Sequence, residues 1–153
     1  MNTPWRLDSK APRLADAFRK AAPEQRWRAT RLACETSTRT AGLGADDDVK
    51  AGLRALEEGR TNDSALRARL IALSGRFDDE YLRLDEEGDQ SRKSEVLRLF
   101  AKARAAAAVA LALTDDDSQL HEAIYEAISA LIEKPSEIAG TLEATLRGST
   151  PGC

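Results

Sequence analysis

Apolar positions recur along most of the chain at helical spacing, and no run alternates with the period of a strand. Leu14, Ala17, Phe18 and Ala21 form an i, i+3, i+4, i+7 stripe. Pro23 suits the first turn of a second helix carrying Trp27, Leu32 and Cys34, which "TAGLG" interrupts. Asp46 to Asp48 predict the capped start of a third helix with Val49, Leu53 and Leu56, closed by Gly59. A long fourth helix follows "TND" with Leu66, Leu70, Leu73, Phe77, Tyr81 and Leu84 inward, and stops at Gly88. Ser91 or Ser94 is expected to cap the fifth, which holds Val96, Leu99, Phe100, Ala103, Ala107 and Leu111. A sixth carries Leu120, Ile124, Ala127, Ile128 and Leu131 and ends before Pro135, and a seventh carries Ile138, Leu142 and Leu146.

The pattern predicts an all-α, single-domain bundle of about six or seven helices. The fifth helix explains the alanine content. Its run "AKARAAAAVALAL" is apolar almost all round, which marks a helix buried on most sides, and small side chains let neighbours approach closely. It is therefore read as the central helix. Asp115 to Asp117 close it and open the next, where negative charge suits the helix dipole. Residues 1–148 are read as one helical domain and 149–153 as a flexible tail.

Composition sharpens this picture. Only 5% of residues are aromatic against 42% hydrophobic, so Leu, Ile, Val and Ala must build the core. The longest apolar run, Ala105 to Leu113, is nine residues, well short of the roughly 20 that a membrane span needs. The N-terminal stretch lacks the apolar segment of a signal peptide, so a cytoplasmic location is expected. Two distant cysteines, Cys34 and Cys153, suit neither a disulfide framework nor a zinc site.

Candidate chemistry is sparse. His121, the sole histidine, lies one turn from Tyr125 and beside Glu122 and Glu126, a set able to exchange protons. No motif places a nucleophile near it and no second histidine offers a metal set, so it reads as a boundary residue hydrogen-bonded to the tyrosine. "DDDSQLHEAIYE" and "DDDVKAGLRALE" carry Leu120 and Ala51 where an EF-hand loop needs glycine. "AGLGADDD" has neither the spacing nor the lysine of a phosphate loop. No enzyme activity, cofactor or metal is therefore expected. "RWRATR" sets Trp27 among Arg26, Arg28 and Arg31, but a sequence pI near 5.3 argues against nucleic acid. A packed Trp27 with arginines reaching the acidic C-terminal half is the simpler reading.

Charge is unevenly placed. Residues 1–40 hold nine Lys/Arg against four Asp/Glu, while residues 114–143 hold eight acids and only Lys134. Glu122, Glu126 and Glu133 share one face of the sixth helix, opposite Leu120 and Leu131. Glu122 and Glu126 repel at i, i+4, so a basic protein partner is expected to answer them. Glu122, Glu126 and Glu133, with Asp115, Asp116 and Asp117, form the expected partner surface. Exchanging the three glutamates for lysine is expected to leave folding nearly intact. The competing account has the N-terminal arginines neutralise this face within the chain.

The segments "RLACE…TAGL", "FDDEYLRL" and "LFAKARAAAAVALAL…HEAIYEAISAL" resemble small all-helical bacterial proteins of uncharacterised function, a class that includes immunity proteins of toxin–immunity pairs. That resemblance implies a cytoplasmic, non-enzymatic domain that covers a toxin's active site, and it carries over no binding residue. The alternative from another class is an adaptor or regulatory subunit, with self-association through the small-residue helix left open.

Overall fold

Proline and aspartate place the helix starts. In a computed structural model that describes residues 3–132 and 135–148, Pro12 and Pro23 occupy the first positions of α2 (Pro12–Lys20) and α3 (Pro23–Thr40). There the missing N–H removes no intrahelical bond. Asp46 accepts from the Val49 N–H at 3.0 Å to start α4 (Asp47–Glu58), which Gly59 ends at φ 73°. Asp63 accepts from the Leu66 N–H at 3.0 Å to start α5 (Ser64–Glu86). Gly88 and a 3-10 turn at Gln90–Arg92 reverse the chain into α6 (Lys93–Ala112). A second 3-10 turn, Asp117–Gln119, runs into α7 (Leu120–Ala130), and α8 (Pro135–Leu146) follows.

With α1 (Arg6–Lys10) the described residues hold eight α-helices and no strand, one helix more than the periodicity predicts. Five residues are too few to display a stripe. The local signal for α1 is the Asp8 carboxylate, which accepts from the Trp5 N–H at 2.6 Å and fixes the first turn. The expected cap of α6 also moves. Asp89 accepts from the Ser91 N–H to hold the preceding 3-10 turn, and α6 itself starts without a side-chain cap. The tail assigned to 149–153 lies outside the described residues.

The core runs from Leu7, Leu14 and Phe18 through Ala33 and Cys34 to Leu120, Ile124 and Leu142, all essentially inaccessible. α6 packs against α3, α4, α5 and α7. Its fully buried positions are Ala103, Ala105, Ala106, Ala108, Val109 and Ala112, whereas Ala107, expected inward, is half-buried. Alanine contributes little apolar area, so this helix is held by propensity and close approach more than by large buried side chains. Gly52 of α4 illustrates the closeness: a Cβ there would meet Val109 Cγ1 at 2.5 Å. α5 packs on α6 and α4 and turns its other side to solvent. Leu84 and Leu99 are buried apart from the main core, where Tyr81 and Phe100 meet edge to face at 5.5 Å. No described helix is long and apolar enough to cross a membrane.

Candidate functional site

α7 is enclosed more completely than its charge suggests. It contacts α1, α3, α6 and α8, and His121, Glu126 and Ser129 are buried along with its leucine and isoleucines. Glu126, expected to face outward, is only 4% exposed. Its Oε2 accepts from Arg104 Nη1 at 2.9 Å, and its Oε1 lies 3.2 Å from Arg6 Nη2. Arg104 also donates through Nη2 to both oxygens of Asp78, at 2.9 and 2.8 Å. Arg6 pairs with Glu122 and stacks over the Tyr125 ring at 4.3 Å. Two guanidinium groups thus join carboxylates from α5 and α7 and tie α1 and α6 to them. Burial alone would lower the Arg104 pKa, but the charges of Glu126 and Asp78 outweigh it and raise the pKa above its ordinary value. Lysine exchange at position 126 would oppose Arg6 and Arg104, so the expectation that the triple exchange spares folding does not survive this burial.

The remaining acids are engaged locally. Asp115 accepts from the Thr61 hydroxyl at 2.8 Å. Asp116 accepts from the Ser118 hydroxyl and N–H at 2.6 and 3.0 Å, which lowers its pKa and holds the turn before α7. Asp117 pairs with Arg26 at 3.0 Å, and Arg26 also donates to the carbonyls of Phe18 and Arg19. Glu133 lies outside the described residues. The structure therefore brings Glu122 and Glu126 together around Arg6 and leaves Asp115, Asp116 and Asp117 on separate partners. Arg26 reaches the acidic half as expected, whereas Arg28 and Arg31 pair within their own helix with Glu24 and Glu35.

His121 is a packed residue. Its ring stacks on Trp5 with centroids 3.8 Å apart, Phe18 meets it edge-on, and Arg19 lies over the other ring of the stack, Trp5, at 3.9 Å. Arg19 is held in turn by a bidentate pair with Asp8 at 2.7 Å. No hydrogen bond joins His121 to Tyr125; its Nδ1 is buried without a hydrogen-bond partner, 3.5 Å from Glu122 Oε1. Burial lowers the imidazole pKa and keeps the ring neutral near neutrality. Cys34 is inaccessible, and burial pushes its thiol up to about 12, away from nucleophilic use. Among the described residues no three His, Cys, Asp or Glu side chains cluster as metal ligands.

A concavity lies elsewhere, where α3 and α7 end and α6 and α8 begin. It has a volume of about 690 Å3. Ala41, Ala101, Ala130, Leu131 and Ile138 are its buried apolar residues, with Leu97 and Ile132 each 43% exposed. Its polar lining comes from Thr36, Thr40, Ser94 and Thr141, with Arg98 on the α6 wall and Glu137 on the α8 wall. Neither Arg98 nor Glu137 makes an ion pair among the described residues.

The chain matches no family model, no curated protein and no solved structure. The groove is the feature that sequence reasoning missed. Its signal was present in Leu97, a large apolar residue outside the stripe of α6, and in Ile132, which follows the end of α7 at Ala130. Ser94, Leu97, Arg98 and Ala101 follow i, i+3, i+4, i+7 spacing and make one wall.

Proposed function

We propose that this chain is a non-enzymatic protein-binding domain whose partner seats in the groove between α3, α6, α7 and α8. The observation that carries the reading is the exposure of Leu97 and Ile132 beside buried Leu131 and Ile138 in a concavity of about 690 Å3. A groove lined by both apolar and polar side chains suits an amphipathic segment laid into it, the usual form of helix-in-groove recognition. Arg98 and Glu137 on facing walls add polarity: the occupant is an apolar segment with an acid on the α6 side and a base on the α8 side. In this reading the bundle is arranged around α6, the domain works in the cytoplasm, and the acids of α7 hold α1 and α6 in place.

The resemblance to immunity proteins names the partner class: a toxin domain, bound and neutralised. An adaptor or regulatory subunit is the second reading, and the groove serves it equally. The small-residue helix α6 offers that reading little surface, since Ala103, Ala105, Ala106, Ala108 and Ala112 are buried inside the chain and Ala107 is half-buried. The test is capture from the native host with wild type, Leu97→Glu and Glu122→Lys, each checked for an intact fold. A partner lost with Leu97→Glu and kept with Glu122→Lys supports the groove. The reverse result moves the partner to the acidic face of α7, and turnover by the isolated chain would end the non-enzymatic reading.

A further inference from the structure

The solvent side of α5 carries a second surface, with no residue in the groove. Ile71 and Leu82 there are 55% and 48% exposed. They stand three helical turns apart on one side of the helix, with Arg67 and Asp85 on the flank of the same face. The ion pairs of α5 are Arg69 with Asp48, Arg83 with Glu87 and Asp78 with Arg104. Among the described residues, its other cations, Arg67 and Arg76, have no such partner, nor do Asp79, Glu80, Asp85 and Glu86. The free charge near the start of the helix is therefore Arg67, Arg76 stands at mid-helix, and the free acids Asp79, Glu80, Asp85 and Glu86 all follow it. Next to Arg76, Gly75 faces solvent, and a Cβ added there would touch nothing. A mid-helix glycine weakens the helix, and no contact within the chain requires it.

Along this flank the free charges and exposed apolar residues run cation, apolar, apolar, anion, with Asp78, already tied to Arg104, between the two apolar positions. Read in reverse it is its own complement. We infer that α5 is a self-association surface on which a second copy of this chain packs antiparallel, its two-fold axis midway between Gly75 and Asp78. Arg67 then faces Asp85 of the second copy, and Ile71 packs on Leu82 of the second copy, each contact occurring twice as an isologous interface demands. Gly75 lets the two helices approach at their crossing. The helix is 23 residues, about 34 Å long. One such helix pair falls at the small end of specific interfaces, so the dimer forms at micromolar or higher concentration. Each groove stays open in the pair.

Sedimentation equilibrium from about 1 μM to 1 mM tests this, with circular dichroism confirming the fold of each variant. Wild type should pass from monomer to dimer across that range, and Ile71→Glu should stay monomeric. Arg67→Glu and Asp85→Arg should each weaken the dimer by roughly three- to tenfold, since two exposed pairs are lost per dimer. The double swap Arg67→Glu/Asp85→Arg should return it to within about twofold of wild type. A wild-type chain that remains monomeric at the highest concentration overturns the proposal. So does a dimer indifferent to Ile71→Glu, or a double swap as weak as its single variants.

Discussion

Replacing Glu126 with glutamine removes the charge from the one buried carboxylate among the described residues while keeping its shape. The amide oxygen still accepts from Arg104, but as a neutral acceptor. Arg104 keeps Asp78, and Arg6 keeps Glu122. The loss is therefore smaller than the roughly 3–5 kcal/mol of an orphaned buried charge. It is closer to the roughly 1.5–3 kcal/mol of a hydrogen bond to a charged group. We expect about 2 kcal/mol, which for a chain of this size lowers the melting temperature by roughly 4–8 °C. Urea unfolding followed by circular dichroism should give the same loss with an unchanged denaturant slope. Glu122→Gln supplies the internal control. Its side chain is 27% exposed and Arg6 is half exposed, so it should cost under about 1 kcal/mol. A double-mutant cycle with Arg104→Met should return a coupling on the order of 1–2 kcal/mol. A Glu126→Gln variant as stable as wild type, or no weaker than Glu122→Gln, would refute the view that this carboxylate works inside the fold.

Three further outcomes follow from packing and titration. Gly52→Ala should destabilise the chain by roughly 1–3 kcal/mol in a thermal melt, because the new Cβ meets Val109 at 2.5 Å and Leu70 at 3.1 Å. Its gain in helix propensity would win only if α4 could shift away. Stability should fall on acidification in two stages. Burial, with Glu122 and Asp8 opposing it and Arg19 and Arg26 adding to it, holds the His121 pKa below its ordinary 6.5. That contribution is full above 6.5 and is lost as pH falls through the lower folded value. Asp8, held at about 2 by hydrogen bonds from Arg19 and Trp5, contributes fully above its ordinary 3.8 and loses its share as pH falls toward 2. His121→Phe keeps the stack on Trp5 and should flatten only the upper stage of a stability-against-pH curve. In a Cys153→Ser background, Cys34 should resist a thiol reagent until denaturant is added, since its thiol is inaccessible and pushed up to about 12. Modification at the native rate of a free thiol would show that α3 opens readily.

The helices were legible because their starts and inward faces are properties of short windows. Asp46, Asp63 and Pro23 act within three or four residues, and the spacing of Leu66, Leu70, Leu73 and Leu84 reports burial along one helix. α1 escaped that logic because five residues display no period. The identity of the deepest alanine escaped it too. A run apolar on all sides leaves the wheel without contrast, so Ala107 could not be told from Ala106, and only the neighbours of α6 decide between them.

The same limit explains the fate of the acidic face. A helical wheel shows Glu122 and Glu126 side by side and repelling, but it contains no other helix. The answer to that repulsion came from Arg6 and Arg104, 116 and 22 residues away from their glutamates along the chain. Arg104 was visible as a charge at the edge of an alanine run, and such a residue among small neighbours sits where a long side chain can reach across a close helix contact. Arg6 lay before any recognised helix. What distinguishes a buried carboxylate from a solvated one is the set of cations that can approach it in space, and that set is a product of the fold. The charge asymmetry between the N-terminal forty residues and the segment around α7 was therefore a true signal of attraction. Its attribution turned on geometry: for Glu122, Glu126 and Asp117, the basic half of the bargain is supplied within the chain by Arg6, Arg104 and Arg26. On the readings proposed above, the surfaces left without such an internal answer, the groove at Leu97 and the solvent flank of α5, are where an external partner would bind.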